Sequence, residues 1–151
     1  MEGMTPLQVA EALNADADRT LEFVTELRPL QGSNKELGRT LVDCEALAHL
    51  GHYYADKILG ASDLALFDQN GKSEQRTGAV GHMQAALDDW KKYAAASTGQ
   101  YIPQKLGRVG AVDLNKLTAR VEEDIIIAQN WKTGTIRGDG EVRRRDDNFQ
   151  P

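Results

Sequence analysis

Four stretches of this chain return an apolar residue at every third or fourth position, and that spacing commits it to helices more firmly than anything else in the sequence. The first opens at Thr5-Pro6-Leu7-Gln8. A Thr N-cap, a Pro at the first helical position and a Gln three residues after the cap make a start signal. Ala10, Leu13, Ala17, Leu21, Val24 and Leu27 then form one stripe, which Pro29 is expected to end. Ser33-Asn34-Lys35-Glu36 repeats the capping pattern and opens a longer segment to about Asp68, apolar on more than one face and so expected to lie centrally. Gly60 is a candidate bend or break within it. Asp68-Gln69-Asn70-Gly71 reads as a turn, and Ser73 as the cap of a third helix through Val80, Met83, Leu87, Trp90 and Tyr93 to about Gly99. Asp113 caps the last helix, with Leu114, Leu117, Val121, Ile125 and Ala128 on one face and Trp131 at its end.

No alternating run is long enough to define a strand, so the expected fold is all-α. Short connections imply an antiparallel four-helix bundle or a close variant of one. Residues 1–132 make the bundle. Residues 133–151 lose all apolar period and are expected to be a flexible tail. The stretch Tyr101 to Gly110 is expected to be an ordered loop, because its apolar members want burial.

Charge narrows the partners. With 23 acidic against 18 basic residues the net charge is −5, the wrong sign for neutralising phosphates, so nucleic acid is not expected. No apolar run approaches the roughly 18–20 residues that span a bilayer, so no membrane partner is expected either. A single cysteine, Cys44, excludes an intrachain disulfide.

Two constellations carry chemistry. Glu45, His49, His52 and Asp56 fall within about 60° of one helical face, a stack of imidazoles and carboxylates that could hold zinc or another divalent ion. The more economical reading is a solvated polar stripe in which Glu45 and Asp56 pair with the histidine four residues away. Neither the His-Glu-x-x-His nor the Glu-x-x-His spacing of known metal helices is present. No cofactor is expected. The second constellation is aromatic: Tyr53, Tyr54, Trp90, Tyr93, Tyr101 and Trp131. Flat rings stack on sugars, and Asp89 and Gln104 stand near enough in sequence to hold hydroxyls. The competing reading puts most of these rings in the core. No phosphate loop, nucleophile elbow or calcium loop occurs, so no residue is marked as catalytic.

Cys44-Glu45-Ala46-Leu47-Ala48-His49-Leu50-Gly51-His52-Tyr53-Tyr54-Ala55-Asp56-Lys57-Ile58, Trp90-Lys91-Lys92-Tyr93 and Tyr101-Ile102-Pro103-Gln104, with Asp113 and Leu117 through Ile125, carry a resemblance. Over roughly residues 5–131 the chain resembles helical segments near the C-terminal end of large bacterial polysaccharide-degrading proteins of the glycoside hydrolase type. That resemblance implies an accessory domain of a secreted protein, extracellular or periplasmic, that binds a polysaccharide or oligosaccharide and adjoins other domains. It transfers no catalytic residue. The sequence expectation is therefore a non-catalytic carbohydrate-binding module with Trp90, Tyr93 and Tyr101 as stacking residues. A structural or protein-interaction bundle bracing a neighbouring domain is the second reading, and a metal-binding helical protein the third.

Overall fold

A computed structural model of the chain describes residues 3–103, 105–107 and 110–136. Four helices account for most of it: α1, Pro6–Leu27; α2, Lys35–Asn70; α3, Ser73–Gln100; and α4, Leu114–Asn130. A single 3-10 turn, Arg28–Leu30, follows α1, and a two-residue antiparallel pair, β1 (Lys105–Leu106) with β2 (Gly110–Ala111), separates α3 from α4. No helix among the described residues is long and apolar enough to cross a membrane.

The first helix starts as the sequence predicts, with Thr5 and Gln8 exchanging side-chain and backbone hydrogen bonds in a capping box. At α2 the cap is Asn34 rather than Ser33: its side chain accepts from the Leu37 backbone N–H at 3.0 Å. Nor does Gly60 break the helix. It lies where α2 and α3 approach closely, and a Cβ there would stand 2.8 Å from Met83 Cε and 3.3 Å from the Ala79 carbonyl oxygen. The missing side chain serves packing rather than a break, and α2 runs 36 residues unbroken. It ends at Gly71, whose φ of +69° is the left-handed conformation that glycine adopts without strain. Lys72 takes the cap position of α3 without a side-chain hydrogen bond, so Ser73 is the first helical residue and not its cap. Asp113 caps α4 as expected, accepting from the N–H groups of Asn115 and Lys116.

Packing follows chain order. The central helix α2 lies against α1 on one side and α3 on the other, α4 packs on α3, and α1 has its extensive packing on α2 alone. The core has two clusters. In one, Leu64, Ala79, Met83 and Ala128 are joined by Val80, Ile125 and Trp131. In the other, Leu87, Trp90 and Val121 are joined by Leu50, Tyr53, Tyr93 and Leu114. Of the expected tail, Thr135 and Ile136 are tied back to Asp68 by backbone hydrogen bonds, so order persists past 132. Residues 137–151 lie outside the described residues.

Candidate functional site

The four metal candidates on α2 do not converge. Because α2 is sandwiched between α1 and α3, each finds its partner on another element instead of on its own helix. Glu45 pairs with Arg28. His49 Nδ1 lies 2.9 Å from Asp89 Oδ1 on α3. His52 Nδ1 is 2.9 Å from Asn14 Oδ1, and its Nε2 is 3.2 Å from Asp18, both on α1. Asp56 meets His82 of α3 at 2.8 Å. The intrahelical pairing expected four residues apart is thus replaced by bridges between helices. Nor are these groups a solvated stripe: the side chains of His49, His52 and Asp56 are only 13%, 17% and 17% exposed. Among the described residues no group of three or more His, Cys, Asp or Glu side chains is placed to hold a metal ion.

The aromatic residues divide. Trp90 is 8% exposed, packed with Leu87 and Val121, and its Nε1–H donates to Thr118 Oγ1 at 3.0 Å. It turns no face to solvent, because α4 covers it. Tyr54, Tyr53, Trp90 and Tyr93 form a row of rings with successive centroids 5.0, 5.2 and 5.4 Å apart, spacings at which tilted and edge contacts are favourable. The row begins at exposed Tyr54 and ends at half-buried Tyr93. Burial, the nearby Asp124 charge and Tyr54 together raise the Tyr53 phenol above its ordinary pKa. Asp89 is committed elsewhere: one of its oxygens faces His49 and also accepts from Lys92 at 3.0 Å. Gln104 lies outside the described residues.

Tyr93 and Tyr101, by contrast, are brought together. They line one cleft of about 720 Å³, whose walls come from three places: Asp43, Ala46 and Leu47 on α2; Tyr93, Ser97 and Thr98 on α3; and Val112 to Asn115 where α4 begins. Tyr101, Ile102 and Pro103 form its lip. The volume falls within the range typical of small-ligand pockets. Local rules explain the shape. Tyr93 and Ser97 are four residues apart and share a helix face. Tyr101 leaves α3 in an extended conformation, and its hydroxyl donates to Asp43 Oδ1 at 2.7 Å. Gln100 also reaches Asp43 and the Arg39 carbonyl, so the loop is pinned across the mouth.

The expectation that this loop buries its apolar members is overturned at the lip. Ile102 is 85% exposed and Tyr101 50% exposed, and Leu47 opposite is 64% exposed. Nothing in the chain's described residues lies over them. Leu47, Asp43, Ser97 and Thr98 escaped the sequence reading. Leu47 belongs to a segment that is apolar on several faces, where period alone cannot say which face is left uncovered.

Neither histidine, cysteine nor a basic residue is among the described lining residues of the cleft. Asp43 is occupied by Tyr101 and Gln100, and Asp113 by the amides it caps. What remains is an apolar and aromatic surface with a few hydroxyls and an acidic edge, which suits binding. No family model, curated protein or solved structure matches the chain.

Proposed function

We propose that the chain is a non-catalytic binding module whose cleft receives an apolar side chain from an amphipathic protein segment with basic flanks. The observation that carries this reading is the pairing of an apolar-walled cleft of about 720 Å³ with uncovered Leu47 and Ile102 at its edge. Burying such residues against a partner yields roughly 25 cal/mol per Å² of apolar surface, and aliphatic walls offer a sugar little of that. Asp43 and Asp113 supply the acidic edge, and the net charge of −5 also suits a basic partner rather than nucleic acid. The helices fit an open variant of an antiparallel bundle: Gly71 and Lys72 alone connect α2 to α3 and turn one back along the other. The module would brace or recruit a neighbouring domain or protein.

Carbohydrate binding is the second reading. Tyr93 and Tyr101 sharing one cleft with the hydroxyls of Ser97 and Thr98 favours it, as does the resemblance to accessory segments of secreted polysaccharide-degrading proteins. In that case the stacking residues are Tyr93 and Tyr101, without Trp90.

Amide-resolved NMR titration separates the two. The probes are end-blocked peptides carrying a Leu or Phe flanked by Arg, set against a panel of neutral plant and algal oligosaccharides. The peptides are expected to shift the amides of Leu47, Ser97, Ile102 and Asn115, and the double variant Leu47→Ser, Ile102→Ser to lose the response. Shifts with an oligosaccharide and none with any peptide would replace the first reading by the second. Silence from both would remove the cleft as a binding site.

A further inference from the structure

Far from the cleft, near the opposite end of α2, Asp68 stands two residues before the helix stops. Among the described residues it is the one buried charged side chain, 9% exposed. Such burial requires hydrogen-bonding partners, and they come from the far end of the chain. Asp68 Oδ1 accepts from Trp131 Nε1–H at 2.9 Å, from the Thr135 N–H at 2.9 Å and from the Ile136 N–H at 3.3 Å. The Ile136 N–H also lies 3.4 Å from Oδ2.

Between those anchors the chain turns on itself, with the Thr135 hydroxyl donating to the Lys132 carbonyl. Trp131 packs on the cluster of Leu64, Ala79, Met83 and Ala128. Lys132, Thr133, Gly134, Thr135 and Ile136 are all exposed, so beyond Trp131 little apolar burial holds this segment down.

We propose that Trp131–Ile136 is a strap that opens and closes as a unit over this end of the helical array, with the Asp68 carboxylate as its single latch. One anion gathers an indole N–H and two backbone N–H groups, and hydrogen bonds to a charged acceptor are the strong kind. With the latch gone, the two amides lose the acceptor they have among the described residues, and the apolar cluster beneath Trp131 is uncovered.

The latch has a direction in pH. Burial by itself would raise the Asp68 pKa, but the hydrogen bonds from Trp131 and from the backbone of Thr135, Ile136 and Gly134 outweigh it and hold the carboxyl below its ordinary value of 3.8. A depressed carboxylate contributes fully above its unfolded pKa and loses that contribution as pH falls through the folded value. The strap is therefore closed near neutrality and is released as pH falls past the ordinary carboxyl value and through the lower folded one. On α3, Arg76 lies over the Phe67 ring, 5.1 Å from its centroid, Lys132 of the strap is exposed, and among the described residues no basic side chain forms an ion pair with Asp68.

Amide hydrogen exchange followed by NMR tests this on the full chain. In Asp68→Asn the Thr135 and Ile136 amides are expected to exchange roughly tenfold faster or more, as local opening without loss of the global fold requires. The Trp131 indole resonance should move toward that of free indole, while the amides of Met83 and Leu87 keep their protection. Unprotected Thr135 and Ile136 amides in the unsubstituted chain would overturn the proposal, as would an Asp68→Asn variant with unchanged exchange. Should that variant not fold, the unsubstituted chain is titrated instead, downward from about pH 6 through the ordinary carboxyl value of 3.8 and on until α3 unfolds. Strap amides and the Trp131 indole must then respond before α3 does. Simultaneous loss of strap and helices overturns the latch.

Discussion

The α1–α2 seam and the α2–α3–α4 core are both made of packed helices, yet they are built from different material. Along α1 only Ala10, Ala17 and Val24 are buried, while Phe23 and Leu27, and Leu30 in the 3-10 turn that follows, remain exposed. Polar bridges through Asn14, Asp18 and Arg28 supplement this contact. The core instead buries Leu64, Met83, Leu87, Trp90 and Val121. Since apolar stabilisation scales with the area removed from water, a seam of alanines contributes far less per turn than a layer containing tryptophan and methionine. The lesson is that α1 is docked and the other three helices are interlocked.

The largest effect that would break this contrast is at Trp90. Trp90→Ala removes a buried ring and a hydrogen bond to Thr118, and about 3–5 kcal/mol of stability should go with it. Leu27→Ala, at an exposed site of α1, should cost no more than about 0.5 kcal/mol. Urea unfolding of the pair reads the difference directly, and comparable losses would mean that the seam is as strongly built as the core.

Glycines sharpen the same contrast at one methyl group. A Cβ on Gly51 would meet the Ala17 Cβ at 3.4 Å, an ordinary contact, whereas on Gly60 it would collide with Met83 and crowd the Ala79 carbonyl and His82. Gly60→Ala is expected to destabilise by about 1–3 kcal/mol through overpacking. Gly51→Ala should stabilise by up to about 1 kcal/mol, because alanine is the better helix former. Thermal unfolding of the two variants should move in opposite directions.

A smaller effect tests how the core helix α4 is started. Asp113→Ala removes the acceptor for two backbone N–H groups and should cost about 1 kcal/mol, with faster amide exchange confined to the first turn of α4. The smallest effect is chemical. Tyr53 has a raised pKa, so the folded chain holds its proton more tightly than the unfolded one. The stability this provides is intact below the ordinary phenol pKa of 10.0 and is lost as pH rises through the folded value. Ultraviolet titration of tyrosinate in the unsubstituted chain against Tyr53→Phe should show one late-ionising phenol disappear, with α1 unaffected.

Much of the helical layout was legible in the sequence because its signals are local. Thr5 with Gln8, and Asp113 with the two amides after it, act within one turn of their own helices. Gly60 misled for the opposite reason: its meaning depends on Met83 and Ala79 of another helix. The cleft was half legible. Tyr93 and Tyr101 stood out as aromatic, but Tyr93 lies only three positions after Trp90, and only the position of α4 decides which of the two is sealed. Asp68 read as a turn residue, since nothing near it in sequence announces donors that arrive 63 to 68 residues later.

Helices that rest chiefly on their immediate predecessor have a kinetic consequence. Contacts beside the turn between α2 and α3 close only short loops of chain, whereas those at the far ends of the pair, such as Gln100 with Arg39, close a loop of 61 residues, and local contacts are the ones that form fastest. With only Gly71 and Lys72 between them, α2 and α3 can zip together while later residues are still being synthesised, and α4 is added to a surface already formed. The return of Ile136 to Asp68 closes a loop of 68 residues, and it has to wait until α3 and α4 have both been made.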